Sequence, residues 1–323
     1  MLKETLLPLL IALLADAFFG YPDWLFRAIG HPVTWIGASI GALDRALNRE
    51  RRAPFVRRLY GIAAIIAVVA LSFAAGWGLE IVFDRLPGSV LWIGVSASTL
   101  MASRSLFVHV SDVARALDRG LDEGRAAVSK IVGRDPSSLD TAGVARAAIE
   151  SLAENASDGV VAPAFWFALL GLPGLAAYKA INTADSMIGH RTSRHASFGW
   201  AAARLDDVAN LPASRLTAVL LGLAGRFEGA PFARIVALTL RDAPKHRSPN
   251  AGWPEAAMAA NLELRLGGPR RYGGILVEEA YLGDGRSDAT ADDIRRAVAL
   301  ACVAWGILVA GVALGAAFMI FAH

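Results

Sequence analysis

The sequence predicts an all-α, multi-pass membrane protein, because its apolar residues come in blocks, the blocks are bilayer-long, and the segments between them differ in charge. Of the 323 residues, 55% are hydrophobic and only 19% charged. The mean hydropathy is +0.44, on the apolar side of ordinary soluble domains. Uncharged runs extend from Gly61 to Leu79 (nineteen residues), Leu86 to Ser103 (eighteen), Gly159 to Tyr178 (twenty) and Ala297 to Ala322 (twenty-six). A helix needs about 20 mostly apolar residues to cross the hydrocarbon layer, so each run is long enough or nearly so. A first, imperfect span runs from Thr5 past Asp16 to Pro22. Its Ala15-Asp16-Ala17 resembles a signal-peptidase site, but the charge within it and the single basic residue upstream, Lys3, point to an uncleaved anchor. The expected architecture is a single integral membrane domain over 1–323 with four to six spans or re-entrant segments: 5–22, 60–80, 86–104, 159–178 and 297–322.

Charge sets the expected orientation. Between Tyr21 and Leu59 lie Arg27, Arg45, Arg49, Arg51, Arg52, Arg57 and Arg58, against Asp23, Asp44 and Glu50. The connector from Glu80 to Ser89 holds Glu80 and Asp84 against Arg85. The positive-inside rule puts the first loop in the cytoplasm and the connector outside, as expected for a protein of the cell (inner) membrane. The net charge of +3 follows from this topology rather than from nucleic-acid binding, and no basic-aromatic recognition module is visible. Cys302 is the only cysteine, which excludes a disulfide framework and a cysteine-based metal cluster. Gly311 and Gly315 form a G-x-x-x-G in the last span, a spacing that admits close helix approach.

Three polar stretches, 23–59, 111–158 and 179–296, have room for a site. The first carries His31-Pro32-Val33-Thr34-Trp35-Ile36-Gly37. In the second, Val113, Ala116 and Leu117, then Val144, Ala148 and Leu152, recur at helical spacing, with breaks at Gly133 and Pro136. Asp140 or Thr141 caps the second helix and Gly159 is a plausible stop. The third stretch holds sixteen of the thirty-two basic residues. No strand alternation persists anywhere.

On the helix ending near Gly159, Glu150, Glu154 and Asp158 are spaced to stack on one face, with Asn155 beside them. Like charges at this spacing repel. The cation that offsets them is either Arg146, one turn earlier, or a divalent metal held by Glu154 and Asp158. Beyond the twenty-residue run come Asn182-x-x-Asp185 and then Arg204-Leu205-Asp206-Asp207-x-x-Asn210. Between them His190-Arg191-Thr192-Ser193-Arg194-His195 is a cationic stretch suited either to an anionic ligand or to acidic lipid. Loops around Ser248-Pro249-Asn250 and Gly267-Gly268 carry turn chemistry and enough glycine for a ligand to approach backbone. If 159–178 crossed the bilayer, Glu154 and Asp185 would face opposite compartments. Gly171-Leu172-Pro173-Gly174 at the middle of the run is a strong turn signal. Two half-helices forming a re-entrant hairpin, tolerated where protein surrounds them, would bring both motifs to the cytoplasmic face.

Together, Glu150-Ser-Leu-Ala-Glu154-Asn155-x-x-Asp158-Gly159, Asn182-Thr-x-Asp185-Ser186-Met187 and Phe198-Gly199-Trp200-x-x-x-Arg204-Leu205-Asp206-Asp207-x-x-Asn210 resemble the CobD/CbiB family, the adenosylcobinamide-phosphate synthases of cobalamin biosynthesis. Ser248-Pro249-Asn250-Ala-Gly252-x-Pro254-Glu255, Leu266-Gly-Gly268-Pro-x-x-Tyr272 and the early His31-Pro32 agree, and the likeness covers nearly the whole chain. The resemblance implies an ATP-dependent acid-amine ligase, joining a propionate of adenosylcobyric acid to aminopropanol or its phosphate. A carboxylate is a poor acyl donor, and activation as an acyl phosphate lets the amine attack it. Such chemistry needs magnesium, cations for phosphate and an acceptor for the amine proton. Glu154, Asp185, Asp206 and Asp207 are the expected catalytic carboxylates, with Glu154, Asp158, Asp185 and Asp206 or Asp207 serving the metal. Arg191, Arg194 and Arg204 are expected to hold phosphate, with Lys179 a weaker candidate. Asn155, Asn182, Asn210, Ser248 and Asn250 complete the expected binding set. The corrinoid is expected as a substrate held by its amide periphery, since His31, His109, His190, His195 and His246 are scattered. ATP use comes from the resemblance alone, because no G-x-x-x-x-G-K-[ST] is present. The expected partners are these substrates, the bilayer and either further copies of the chain or other proteins of the cobalamin pathway, with no nucleic acid. The competing readings are a magnesium-dependent intramembrane prenyl- or phospho-transferase and a non-catalytic membrane sensor or assembly partner.

Overall fold

The computed structural model describes residues 2–133, 135–190, 192–272 and 275–321. Thirteen α-helices carry the fold among these residues: α1 (Leu2–Phe19), α2 (Asp23–Ile29), α3 (Pro32–Leu47), α4 (Pro54–Phe83), α5 (Ser89–Ser98), α6 (Ser103–Leu117), α7 (Leu121–Val128), α8 (Thr141–Ala156), α9 (Ala162–Ala184), α10 (Trp200–Gly225), α11 (Phe232–Asp242), α12 (Gly252–Leu262) and α13 (Ala291–Phe321). Five helical stretches are long and apolar enough to span a bilayer: Pro54–Phe83, Ser89–Leu117, Thr141–Gly189, Trp200–Gly225 and Ala291–Phe321. A sixth arises if Glu4–Phe19 and Asp23–Leu47, bent by 105°, count as one. The protein is an all-α, multi-pass membrane protein. Trp200–Gly225 lies inside the stretch that the sequence marks as polar, because its charged residues interrupt every uncharged run there.

The chain forms two compact units, the first comprising Met1–Ala102, Ala162–Asn210 and Val312–His323, the second Ser103–Val161 and Leu211–Gly311. In the first unit, Ile40 of α3, Ala64, Ile65 and Val68 of α4, and Ala180 and Ala184 of α9 form one buried cluster with Ile188, Phe198 and Ala202. Glycine brings these helices into van der Waals contact. A Cβ on Gly61 would collide with the Phe198 carbonyl, and one on Gly76 would sit 2.7 Å from the Leu172 carbonyl. Small residues at such crossings let backbones approach where lipid offers no hydrophobic drive.

Within α9 the chain reverses. Gly171 has φ 67° and ψ −155°, a conformation essentially confined to glycine. Beyond it a Cβ on Gly174 would lie 2.6 Å from the Trp166 carbonyl, although eight residues of straight helix would separate the two by about 12 Å. Trp166 Nε1 donates to the Ala209 carbonyl at 3.1 Å and Tyr178 Oη to Asn210 Oδ1 at 2.8 Å, so the two arms meet neighbouring residues of α10. The tip is held from α4, where Glu80 Oε1 accepts the Leu172 N–H at 2.7 Å. A carboxylate thus caps the second arm at the positive end of its backbone dipoles.

In the second unit, Val144, Ala148, Ile149 and Leu152 of α8 are fully buried. Asp140 is the cap, its Oδ1 accepting the Gly143 N–H at 2.6 Å. The helix does not stop at Gly159: Ser157–Val161 forms a π-turn that carries the chain into α9. A π-turn absorbs one extra residue without ending the helix, and such turns recur at functional sites. Asp242, fully buried at the end of α11, accepts Arg241, Lys245 and the Gly283 N–H at 2.6 to 2.8 Å, tying the helix to the segment after the loop strands. Four short strands precede Gly283: β1 (Leu266–Gly267), β2 (Arg270–Tyr272), β3 (Ile275–Val277) and β4 (Tyr281–Leu282). They pair antiparallel as β1–β4 and β2–β3. At two or three residues each, they are too short to alternate visibly in sequence.

Candidate active site

In the first unit a chain of hydrogen bonds joins the second arm of the α9 hairpin to α10. Asn182 Nδ2 donates to Asp206 Oδ1 at 3.4 Å, and Asn210 Nδ2 donates to Asp206 Oδ2 at 3.0 Å. Asn210 Oδ1 in turn accepts the Tyr178 hydroxyl. The spacing explains the register: Asp206 and Asn210 are one turn apart on α10, as are Tyr178 and Asn182 on α9, so two helix faces meet through four polar side chains. Asp206 and Asn210 are buried, at 9% and 1% exposure, and both carboxylate oxygens of Asp206 are engaged.

Asp185 opens a second π-turn, Asp185–Gly189, immediately after α9. A Cβ on Gly189 would collide with Asp185 Oδ1, so that glycine makes room for the carboxylate. Asp185 and Asp207 are close enough to Asp206, and His190 to Asp185, for their charges to interact. Lys179, buried on the same arm, acts electrostatically on His31, the residue that caps α3 by accepting the Val33 N–H on Nδ1. The sequence motifs Asn182-x-x-Asp185 and Asp206-Asp207-x-x-Asn210 therefore converge, with Lys179 and His31 added beside them.

The arginines behave otherwise. Arg204 pairs with Asp207 at 3.0 Å. Arg194 is drawn to Asp44 of α3, at 2.7 Å, in a network that includes Asn48, Arg57 and His195. The Asp44 hydrogen bonds raise the Arg194 guanidinium above its ordinary range. Arg191 lies outside the described residues. This Asp44 network joins residues some 150 positions apart, and no local spacing announces it.

In the second unit Glu150 and Glu154 part company. Glu150 is buried and its Oε1 accepts the Gly267 N–H at 2.7 Å. Arg146 donates to the Ser287 carbonyl rather than pairing with Glu150. Glu154 and Asn155 are exposed and Asp158 lies half-buried in the π-turn. Asn155 Nδ2 donates to the Ser151 carbonyl at 2.9 Å. Ser248 and Asn250 lie in the turn before α12, where Ser248 Oγ accepts the N–H groups of Asn250 and Ala251, each at 3.2 Å.

Among the described residues, no three His, Cys, Asp or Glu side chains are grouped to hold a metal ion. What the first unit offers is the carboxylates of Asp185, Asp206 and Asp207, with the Asn182 and Asn210 amides turned toward Asp206 through Nδ2. Magnesium keeps waters and substrate phosphate and takes only one or two protein carboxylates.

The CobD/CbiB family model matches residues 9–301, which include every motif that carries the resemblance. The chain belongs to the CobD/CbiB family. Among curated relatives, the cobalamin biosynthesis protein CobD of Sinorhizobium fredii is 51% identical over 303 residues, covering 92% of each chain. The Rhodobacter capsulatus protein of the same name is 48% identical over 293 residues, covering 90% of this chain and 91% of the relative. That of Brucella suis is 47% identical over 308 residues, covering 93% of each. No solved structure matches the chain. Membership of the CobD/CbiB family places the chain in cobalamin biosynthesis.

Proposed function

We propose that this protein is an adenosylcobinamide-phosphate synthase-like ligase that joins adenosylcobyric acid to aminopropanol, or to aminopropanol phosphate, with consumption of ATP. The observation that carries the reading is the buried Tyr178–Asn210–Asp206–Asn182 network beside Asp185, in a chain of a cobalamin-biosynthesis family. Amide formation from a free carboxylate needs an activated acyl group and a proton acceptor for the incoming ammonium. Asp185, half-buried at the end of the hairpin, is the group to take the amine proton. Asp206 is held in one orientation by two amides, which fixes the carboxylate against which substrate or cation is positioned.

Magnesium, when bound, neutralises phosphate charge during ATP use. Asp206 would hold it in the first unit, and Glu154 and Asp158 are the candidate oxygen donors of the second. Ser248, Asn250 and Asn155 are the proposed polar contacts for the corrinoid periphery or nucleotide. The site faces the cytoplasm of an inner-membrane protein in this reading, in keeping with the basic loop before α4.

The test is purification in detergent and incubation with adenosylcobyric acid, magnesium ATP and each amine in turn, with the corrinoid product identified by mass spectrometry. The expected product gains one amide linkage for each ATP consumed. Folded protein that forms no amide with either amine would refute the assignment.

A further inference from the structure

Among the described residues, Arg215 of the second unit has no carboxylate partner. Arg215 stands in the apolar part of α10, where an ionisable side chain is expensive and marks function by default. Its guanidinium lies over the Trp253 ring, 4.6 Å from the centroid. Its Nη1 donates to Asn250 Oδ1 and to Ser214 Oγ, each at 2.9 Å, and to the Leu211 carbonyl at 3.3 Å. Ser214 Oγ is itself 3.2 Å from Asn250 Oδ1, so the amide is held from two sides. Ser214 and Asn250 are buried, at 0% and 6% exposure.

All of these bonds fall on one nitrogen. Among the described residues neither Nε nor Nη2 of Arg215 has a partner, and no carboxylate pairs with it. The indole plane and the buried amide fix the fork, so little side-chain freedom remains to be lost when its free edge meets a ligand. Ser248, two residues from Asn250, accepts two backbone N–H groups on Oγ, and its hydroxyl proton has no acceptor among the described residues. A fixed guanidinium edge with a hydroxyl donor in the adjoining turn is the donor set for a tetrahedral oxyanion.

We infer that Arg215, oriented by Trp253 and Asn250, is a phosphate-binding residue, with Ser248 as its neighbouring donor. The phosphate belongs either to a water-soluble ligand or to a lipid headgroup, and the chemistry of recognition is shared. The inference shares Ser248 and Asn250 with the proposed ligase site but concerns binding alone, and the test below uses no turnover, so its failure would leave the ligase reading standing.

The experiment is equilibrium binding to the purified protein in a neutral detergent, read as tryptophan fluorescence and as the thermal unfolding midpoint. In one arm inorganic pyrophosphate replaces chloride at constant ionic strength. In the other, phosphatidylglycerol replaces phosphatidylcholine in mixed micelles. One arm is expected to give saturable stabilisation and a fluorescence change, and which one does so identifies the source. Arg215→Gln is expected to weaken that binding about tenfold or more, equal to about 1.4 kcal/mol. Lys130→Gln, at an exposed position of the same unit, should leave it unchanged. Trp253→Phe should remove the fluorescence change, a readout that holds even if the Arg215 variant does not fold. Absence of saturation in both arms, equal affinity in Arg215→Gln, or a fluorescence change that persists in Trp253→Phe would overturn the assignment.

Discussion

The reversal at Gly171 yields a quantitative prediction, because two independent penalties meet at one atom. In Gly171→Ala the backbone would hold alanine at φ 67°, ψ −155°, which costs about 1–3 kcal/mol. The new Cβ would also collide with Glu80 Oε1, the atom that accepts the Leu172 N–H at 2.7 Å. Relief requires the carboxylate to withdraw, and a hydrogen bond to a charged group contributes about 1.5–3 kcal/mol. The single substitution should therefore destabilise the first unit by about 2.5–6 kcal/mol. Glu80→Ala alone should cost about 1.5–3 kcal/mol, since it leaves the Leu172 N–H without its acceptor. In the double variant the collision is gone and the bond cannot be lost twice. The penalty of Gly171→Ala should then fall to its backbone part, giving a coupling of about 1.5–3 kcal/mol between the two sites. The measurement is reversible unfolding in mixed micelles of rising SDS fraction, followed by far-ultraviolet circular dichroism. Additivity of the two substitutions to within about 0.5 kcal/mol would refute the argument. So would a Gly171→Ala protein as stable as the parent.

Asp206→Asn should lower turnover about 100-fold or more while leaving the protein folded, because asparagine keeps the shape but not the charge of the central acceptor. Tyr178→Phe, which removes one hydrogen bond to Asn210, should cost only about 1 kcal/mol of stability and lower turnover far less. Equal rates in Asp206→Asn and the parent would remove Asp206 from the site. Asp242 predicts the acid response of the second unit. Burial pushes its carboxyl up, but the hydrogen bonds from Arg241, Lys245 and the Gly283 N–H outweigh that and hold it well below the usual carboxylate range. The stability it contributes is therefore fully present above the ordinary aspartate value of about 3.9 and is lost as the pH falls through its depressed folded value. Unfolding midpoints measured downward from pH 5 should drop more steeply for the parent than for Asp242→Asn, and parallel curves would contradict this.

Much of this was legible in the sequence because it is local. Apolar runs place α4 and α13, the Asp140 side chain caps α8 three residues from the amide it meets, and Gly171-Leu172-Pro173-Gly174 announces a turn. The Asp206–Asn210 pair follows from helical spacing on one element, and its meeting with Asn182 needs only the hairpin. What sequence did not disclose is long-range. Arg194 reads as a free phosphate ligand until Asp44, on a different helix, is seen to hold it. Glu150 looks like one of three stacked carboxylates, yet it points into the protein toward the Gly267 amide. Trp200–Gly225 is not among the expected spans because Arg204, Asp206, Asp207 and Arg215 punctuate it and leave only the ten residues from Leu216 to Gly225 uncharged, too few to cross. Arg215 itself was missed for the same reason: its partner ring, Trp253, is on α12.

The capped hairpin also bears on how the chain is made. Glu80 is synthesised well before Leu172, the amide it will accept, so the bond between them cannot form until the second arm of α9 has begun. The tip of the hairpin cannot be satisfied until the ribosome has passed Leu172, and its arms cannot be fixed until Ala209 and Asn210 have followed. The first unit is therefore closed from its late segments backwards. Nascent chains released before Asn210 would carry an inserted but unlocked hairpin, which a membrane quality-control protease could distinguish from the finished protein.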